Sequence, residues 1–319
     1  MKPNPIHGAL FGLAIGDALG VPVEMIKREV LKLNPVQDFA NYIGPEGYQG
    51  HNQPFGTFSD DTALTFCLAE SLCHGYNLQD TGNRFVKYFF EGYWTAGGKV
   101  FGVGKTTEDS ITRLRDGVSP AQSGNYDVNC SGNGSLMRLL PLLFYISDFN
   151  IEKRYETVKE VASVTHGSMQ TILPCFYYVE FALELFNGSD KQTAYYNTAK
   201  TVSKFMAGLG IGQQDMEVLS PLIREDITLR SMDSILSIHH AVQTIQAAMY
   251  CFMKTNNYKD AVLMAVNMGD DTDTTAAVTG GLAGLYYGYY TIPEKWINTI
   301  KRNNDIKDLC DRLSKAMGL

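Results

Sequence analysis

The sequence predicts an all-α protein, and three features of the chain support this fold class. Apolar residues recur at spacings of three and four in many segments, which is the period of a helix that buries one face. No segment alternates apolar and polar residues as a half-buried strand would, and no regular βα alternation is seen. No linker or charge block divides the 319 residues. We therefore expect a single large helical domain over residues 1–319.

The first predicted helix covers residues 7–20. Its four glycines recur at intervals of four: Gly8, Gly12, Gly16 and Gly20. Small residues at this spacing let a helix pack closely against another backbone. The segment is apolar enough to resemble a signal peptide, but Asp17 lies in its middle and only Lys2 precedes it. We therefore expect a core helix and not a leader.

The remaining predicted helices follow at short intervals. They cover residues 59–72, 81–93, 106–115, 136–146, 151–162, 169–186, 191–209, 235–252, 258–266, 276–287 and 306–317. The segment 235–252 is the most regular, since its apolar residues step by three and four throughout. Residues 34–58 are instead rich in Asn, Pro and Gly. A loop of that length is uncommon unless it serves a site.

Composition excludes several classes of function. The net charge is -7 and the isoelectric point is near 5.4, so we expect neither nucleic acid nor a membrane surface as a partner. The six cysteines are scattered without a C-x-x-C pair, which excludes zinc-ribbon and thioredoxin-like sites. Free thiols, and the absence of an apolar run of about 18 residues, favour a cytoplasmic protein. We expect it to be a monomer.

One stretch carries three carboxylates within four residues, Asp270, Asp271 and Asp273, with threonines at 272 and 274. Adjacent negative charges repel one another, so a helix N-terminus, a basic side chain or a bound cation must offset them. No Lys or Arg occurs between Asp260 and Lys295. A helix cap and a site for a hard cation with oxygen ligands both remain open.

A second acidic cluster, Ser59-Asp60-Asp61-Thr62, repeats this plan at the start of another apolar helix. If the two helix starts met, about four or five carboxylates and two hydroxyls would converge, a set that suits Mg²⁺, Mn²⁺ or Ca²⁺ but not zinc. An EF-hand is excluded, because its glycine at loop position six and its glutamate at position twelve are missing. Two ordinary helix caps are the alternative.

Two glycine-rich segments, 97–104 and 131–135, could each bind a phosphate. The second leads into the helix predicted at Leu136, with Arg138 nearby, so backbone N–H groups could face an anion. No Walker A motif is present, and a plain helix cap is the alternative. His166 lies at a predicted helix end, where it could simply complement the helix dipole. Gly-x-Ser-x-Gly is absent, so a serine hydrolase is not supported.

Taken in order, these motifs resemble the ADP-ribosylglycohydrolases, the group of dinitrogenase reductase-activating glycohydrolase and its relatives. The resemblance rests on Gly16-Asp17-Ala18-Leu19-Gly20 with Glu24, the two acidic clusters, Gly132-Asn133-Gly134-Ser135-Leu136-Met137-Arg138, Thr165-His166 and Gly281-Leu282-Ala283-Gly284. It covers nearly the whole chain. It implies an all-α fold, a single large orthogonal multi-helix bundle of the ADP-ribosylglycohydrolase type, with two divalent cations, Mg²⁺ or Mn²⁺.

The resemblance also implies roles for individual residues. The implied catalytic residues are Glu24, Asp60 and Asp61. The implied cation ligands are Ser59, Asp60, Asp61, Asp271, Asp273 and Thr274. The implied substrate contacts are Gly102, Gly104, Asn133, Gly134, Ser135 and His166. The expected reaction is hydrolysis of the N- or O-glycosidic bond between ADP-ribose and a protein side chain or small-molecule acceptor, which releases ADP-ribose.

The chain departs from this family at two positions. Many bacterial members carry Phe-Asp-x-Gly where this chain has Phe101-Gly102-Val103-Gly104, and many have glycine where this chain has Asp270. The Gly-x-Gly loop is similar to the branch that acts on serine-linked or O-linked ADP-ribose. The missing aspartate keeps a second hypothesis open, a catalytically weak member that binds ADP-ribose or a partner protein. An isoprenoid synthase is disfavoured, because Asp-Asp-x-x-Asp is absent.

Overall fold

The computed structural model describes residues 4–39, 51, 53–212, 215 and 217–319 of the chain, and within them every regular element is helical. The fifteen α-helices of these residues are α1 Pro5–Gly20, α2 Arg28–Leu31, α3 Asp60–Leu72, α4 Leu78–Glu91, α5 Lys105–Arg115, α6 Leu142–Ile146, α7 Ile151–Ser163, α8 Met169–Phe186, α9 Lys191–Gly208, α10 Ser220–Ile223, α11 Ala241–Lys254, α12 Tyr258–Val266, α13 Thr272–Tyr287, α14 Glu294–Thr299 and α15 Asn303–Met317. Short 3₁₀ turns cover Val21–Val23, Ile227–Leu229, Met232–Ser234 and Tyr289–Thr291. The predicted all-α class is confirmed.

The pair α1 and α13 forms the centre of the bundle. The two backbones approach so closely that a β-carbon at Gly12 would lie 2.3 Å from the carbonyl oxygen of Gly280, and one at Gly8 would lie 2.3 Å from that of Gly284. The predicted close packing of the glycine-spaced helix is therefore confirmed, and its partner is the helix that follows the second acidic cluster.

Other helices surround this central pair. Helices α8, α11 and α12 pack against α13, while α3 and α15 pack against α1. The core between them is apolar and buried. Because α1 and α13 are enclosed on all sides, every residue of both α1 and the first three turns of α13 is buried. Pro5–Val23 is long and apolar enough to cross a membrane, but all of it is buried inside the fold.

Two predicted helices are wrong in part. The segment 135–141 forms turns and only Leu142–Ile146 is helical, because Pro141 disfavours helical backbone in the residue before it. Leu136, Leu139 and Leu140 are nevertheless fully buried, so their spacing reports burial and not a helix. The segment 235–240 is also non-helical, and α11 begins only after His240, whose side chain accepts a hydrogen bond from the backbone N–H of Val242 at 3.3 Å.

The other predicted boundaries differ from the observed ones by about one helical turn or less. Of the predicted loop over 34–58, residues 40–50 and 52 lie outside the described residues; the described remainder contains no α-helix or strand. The prediction that residues 1–319 form one domain stays a prediction.

Candidate active site

The start of α3 is held by a carboxylate from the last turn of α1. Asp17 is fully buried and accepts hydrogen bonds from the backbone N–H groups of Ser59 and Thr62, each at 3.0 Å, and from the Thr62 hydroxyl at 2.6 Å. Ser59 is the N-cap, and its hydroxyl also donates to Asp61 Oδ2 at 3.0 Å. The first acidic cluster is therefore a helix cap, as one alternative predicted, and its geometry is fixed from α1.

The start of α13 lies against the start of α3. The Thr274 hydroxyl donates to Asp61 Oδ2 at 3.5 Å, which joins two residues 213 positions apart in the chain. Asp271 is the N-cap of α13, and Asp273 Oδ1 accepts from the backbone N–H of Thr274 at 2.9 Å. The two acidic clusters thus meet in space through their helix starts.

The carboxylates that meet here are almost completely withdrawn from water. Asp60, Asp61, Asp271 and Asp273 are each between 0% and 4% exposed. Burial raises the pKa of Asp60, Asp61 and Asp273 well above the ordinary value, and repulsion from neighbouring carboxylates adds to this. Burial also raises the pKa of Asp271, with the charge of His239 opposing it. Ionisation of all four carboxyl groups is therefore unfavourable without a compensating positive charge.

Two oxygens in the cluster stand out by their lack of hydrogen bonds. Asp61 Oδ1 and Asp271 Oδ1 are buried and have no hydrogen-bond partner among the described residues. A buried acceptor left unpaired costs about 1–3 kcal/mol, and more when it is charged. Hard oxygen donors in this number match the preference of Mg²⁺ or Mn²⁺. The residues therefore fit a divalent cation.

Glu24 lies at the edge of the cluster between two imidazoles. Its Oε1 lies 3.0 Å from His239 Nε2, and its Oε2 is bonded to His51 Nε2. Although burial opposes ionisation, the bonds to His239 and then His51 lower the pKa of Glu24 to about 2. The bond to Glu24 raises the pKa of His239 to about 9. Sequence reasoning missed both histidines.

These groups line one side of a cavity of about 240 Å³, and most of the predicted substrate contacts line the rest. Its walls include Glu24, Asp60, Asp61, Gly102, Gly104, Lys105, Thr106, Thr107, Gly132, Asn133, Gly134, Met137, His166, His239, Asp273 and Thr274. Ser135 is not among them; it is fully buried, with its hydroxyl 3.4 Å from Cys175 Sγ. Ser59 and Asp271 lie behind the wall, bonded to groups that form it.

The glycine-rich loop 131–135 is supported from below by Arg138. This guanidinium is fully buried, donates to the carbonyl oxygens of Gly134 and Val161, and stacks 4.9 Å from the centre of the Phe85 ring. Arg138 thus lies near the loop, as the sequence indicated, and its hydrogen bonds hold the loop backbone. The side chain of Asn133 likewise turns inward, where Nδ2 donates to Asp271 Oδ2 at 2.6 Å.

His166 packs against the same loop from the other side. A β-carbon at Gly134 would lie 2.9 Å from its Cε1, and one at Gly132 would lie 3.1 Å from its Nε2. Burial lowers the pKa of His166 to about 3, and the positive charge of Arg138 adds to this effect. Because His166 is neutral at physiological pH, it does not act as the dipole-complementing cation that was one alternative.

The profile of the ADP-ribosylglycohydrolase family matches residues 3–319. The chain belongs to this family. ADP-ribosylarginine hydrolase Tri1 of Serratia proteamaculans is 28% identical over 309 residues, covering 96% of this chain and 78% of that protein. ADP-ribosyl-(dinitrogen reductase) glycohydrolase of Rhodospirillum rubrum is 26% identical, covering 98% and 96%.

A solved structure, an ADP-ribosylglycohydrolase-related protein complex, has the same fold, with a TM-score of 0.79 at 26% identity over 98% of both chains. The predicted ADP-ribosylglycohydrolase family is therefore confirmed, together with its all-helical fold. The predicted class of enzyme, an ADP-ribosyl hydrolase, is confirmed with it.

The first departure from the ADP-ribosylglycohydrolase pattern, Gly102, has a steric cause. Gly102 has φ +80, a left-handed conformation that side chains other than glycine rarely adopt. A β-carbon there would also lie 2.7 Å from Asp60 Oδ1. An aspartate at this position would therefore require both the loop and Asp60 to move.

The negative charge of the second departure, Asp270, is compensated by a lysine. Its carboxylate lies 2.5 Å from Lys27 Nζ, a partner that sequence distance concealed. Its φ of +57 is in the left-handed region, which glycine adopts with less strain than aspartate does.

Proposed function

We propose that this chain is a divalent-cation-dependent hydrolase that cleaves the N- or O-glycosidic bond between ADP-ribose and a protein side chain or small-molecule acceptor, releasing ADP-ribose. The observation that carries the proposal is the meeting of two acidic helix starts beside a cavity. Two buried carboxylate oxygens there have no hydrogen-bond partner among the described residues. Family membership supports the reaction, and the donor set supports the cation dependence.

Six residues would hold two cations, Mg²⁺ or Mn²⁺: Ser59, Asp60, Asp61, Asp271, Asp273 and Thr274. When bound, such cations would orient sugar hydroxyls and offset the negative charge of the cluster. Ser59 and Thr274 contribute hydroxyls whose positions are set by the helix starts themselves. Asn133 keeps one oxygen of Asp271 occupied, so the other is free for the cation.

The chain's own groups would carry the proton transfer. Glu24 borders the cavity and would orient the attacking water, but the hydrogen bonds from His239 and His51 that lower its pKa make it a weak base; the raised pKa values of Asp60 and Asp61 suit them better to accept the proton. Asp60 and Asp61 complete the carboxylate set that glycoside hydrolysis requires. Gly102, Gly104, Asn133, Gly134 and the neutral His166 would shape the wall against ADP-ribose, while Ser135 would support that wall from behind.

A binding protein without turnover is the second candidate, and Gly102 is the observation that favours it. The chain lacks the aspartate expected there, and the local backbone excludes a simple replacement. The named activity of Tri1 suggests arginine-linked ADP-ribose as one substrate, whereas the Gly-x-Gly loop suggests serine-linked or O-linked ADP-ribose. A monomeric state and a cytoplasmic location remain predictions from composition.

The test is release of ADP-ribose from arginine-linked, serine-linked and O-acetyl-linked substrates, with Mg²⁺, Mn²⁺ or EDTA. We expect release from at least one linkage, which EDTA abolishes and Asp273→Asn lowers by at least a hundredfold, since it removes a ligand. Asp270→Asn is the matched control, because it alters the same cluster at a residue paired with Lys27. Tight ADP-ribose binding without release on any linkage would establish the binding protein instead.

A further inference from the structure

His239 places an imidazole beside the carboxylates of Glu24 and Asp271. Its Nε2 lies 3.0 Å from Glu24 Oε1 and 3.7 Å from Asp271 Oδ1. One ligand atom from each of these three residues falls within 4.8 Å of the other two. Two donors at neighbouring positions on one ion, with bonds of about 2.1 Å, lie roughly 3–3.5 Å apart. The separation of 3.0 Å lies in this range and that of 3.7 Å lies just above it, so the three groups are close to the spacing of ligands on a single ion.

The segment that carries His239 is built against the start of α13. The backbone N–H of Asp271 donates to the carbonyl oxygen of Ser237 at 3.0 Å, and the Ser237 hydroxyl lies 2.8 Å from that of Thr275. Arg28 fixes the same segment further back, donating to the carbonyl oxygens of Met232 at 2.6 Å and Ile235 at 2.5 Å. The position of His239 relative to Asp271 is thus set by backbone contacts and not by chance side-chain packing.

The two oxygens of Asp271 give a second observation at this point. Its Oδ2 accepts from Asn133, while its Oδ1, which faces His239 at 3.7 Å, is fully buried and has no hydrogen-bond partner. The side chain of His239 is 52% exposed, so the imidazole lies on the solvent side of the site. A cation between these groups would pair with Asp271 Oδ1 and would replace the proton between His239 Nε2 and Glu24 Oε1, since an imidazole binds a cation only in its neutral form.

We infer that His239 supplies a nitrogen ligand, together with Glu24 and Asp271, to one divalent cation, and that this ligand biases the site towards Mn²⁺ over Mg²⁺. The inference rests on the proposed cation-dependent function and adds a residue and a selectivity to it. Imidazole suits transition metals, whereas Mg²⁺ prefers oxygen donors in strict octahedral geometry. An imidazole among the ligands therefore favours the transition metal.

The competing role for His239 is purely positional: it would only hold Glu24, as His51 also does on the other carboxylate oxygen. His51 is therefore the matched control, since it shares the Glu24 contact but is absent from the three-residue group. A positional role predicts the same effect for His51→Gln and His239→Gln, on both cations. A ligand role predicts an effect that is confined to His239 and depends on the metal.

The experiment uses the full chain, stripped of metal with EDTA. Mn²⁺ and Mg²⁺ affinities are measured by calorimetry, and Mn²⁺-loaded samples are examined by pulsed electron paramagnetic resonance for coupling to a directly bonded nitrogen. We expect nitrogen coupling in the wild type and in His51→Gln, and its loss in His239→Gln. We also expect His239→Gln to weaken Mn²⁺ binding by about tenfold or more, with a change below about threefold for Mg²⁺.

Mn²⁺ binding without nitrogen coupling would overturn the role of His239 and leave the proposed function standing. Nitrogen coupling that persists in His239→Gln, or an equal loss of affinity for both cations, would overturn it as well. If neither cation binds the wild type, the cation-dependent function itself fails, and the inference fails with it.

Discussion

Gly20 lies against the backbone of Asp273 so closely that a β-carbon at position 20 would be 2.4 Å from the Asp273 α-carbon. The same glycine accepts a hydrogen bond at its carbonyl oxygen from the Thr272 hydroxyl at 2.8 Å. The last glycine of α1 therefore sets the position of an acidic residue that we assign to the cation site. The glycines of α1 therefore allow close helix packing, and Gly20 also positions a residue of the site.

Gly20→Ala is expected to lower the stability of the fold and to weaken cation binding. The added methyl meets backbone atoms, which cannot rotate away as a side chain can, and overpacking of this kind costs about 1–3 kcal/mol. Displacement of Asp273 should reduce Mn²⁺ affinity by about tenfold or more. Chemical denaturation and calorimetry measure the two effects separately.

Gly8→Ala is the control for this prediction. A β-carbon there would lie 2.3 Å from the Gly284 carbonyl oxygen, so it disturbs the same helix pair at the end far from the acidic clusters. We expect a similar loss of stability with unchanged Mn²⁺ affinity. Equal losses of affinity in the two variants would show that the contact with Asp273 has no special role.

The parts of the site that were predictable from sequence are those whose chemistry is local. Two acidic clusters at helix starts are visible as short motifs, since the cap and the carboxylates lie within four residues. The glycine spacing of α1 likewise predicts close packing, although not its partner. Membership of the family could be recognised because these motifs occur in a fixed order.

The parts that were missed depend on tertiary contacts. His51 and His239 are single residues in unlike segments, and only the fold brings them to opposite oxygens of Glu24. Arg138 could be placed near the glycine-rich loop from sequence, but its hydrogen bonds to the carbonyl oxygens of Gly134 and Val161 appear only in the fold. The apolar spacing over 136–146 reported burial, which turns can provide as well as a helix.

Gly102→Ala is expected to weaken cation binding. The substitution forces a side chain into left-handed backbone and places a β-carbon 2.7 Å from Asp60 Oδ1, so Asp60 must move. The strain alone costs about 1–3 kcal/mol of stability, and a displaced ligand should lower Mn²⁺ affinity by about tenfold or more. Calorimetric titration of Mn²⁺ into the metal-free protein checks the expectation.

Gly98→Ala separates strain from contact. Gly98 has φ +82, close to that of Gly102, but a β-carbon there would have nothing within 4 Å. It should therefore lower stability by a similar amount while cation affinity stays at the wild-type value. If Gly98→Ala weakened binding as much as Gly102→Ala does, loop strain would be the cause and the contact with Asp60 would not.

We expect His166→Gln to be less stable than the wild type, by a smaller difference in acid than at neutral pH. The pKa of His166 falls from 6.5 to about 3 on folding, so its contribution is fully present above pH 6.5 and is lost as the pH falls below that value. Glutamine has no such dependence. Between pH 7.5 and 5.5 the deficit of the variant should shrink by about 1.4 kcal/mol. Urea unfolding of both proteins in EDTA measures it, and a deficit independent of pH would show that His166 titrates normally.

Asp273→Asn is expected to make the metal-free protein more stable and the metal-loaded protein less stable than the wild type. Without a cation, burial first and then repulsion from Glu24, Asp61, Asp271 and Asp17 raise the pKa of Asp273 well above its ordinary value, and each pKa unit corresponds to about 1.4 kcal/mol of lost stability. Asparagine removes that charge and keeps an oxygen to accept from the Thr274 N–H. Mn²⁺ at a hundred times its dissociation constant should stabilise the wild type by about 2.7 kcal/mol, and the variant by much less.

Thermal unfolding in EDTA and in Mn²⁺ gives all four values for this comparison. Asp270→Asn is again the control: its partner is Lys27, so it should gain nothing in EDTA and should keep the full response to Mn²⁺. A loss of stability for Asp273→Asn in EDTA would mean that the uncharged cluster packs worse than the charged one. Two carboxylate oxygens in that cluster have no hydrogen-bond partner among the described residues, so we expect Asp273→Asn to gain stability in EDTA. That gain would be direct evidence that these charges are arranged for a cation and not for the fold.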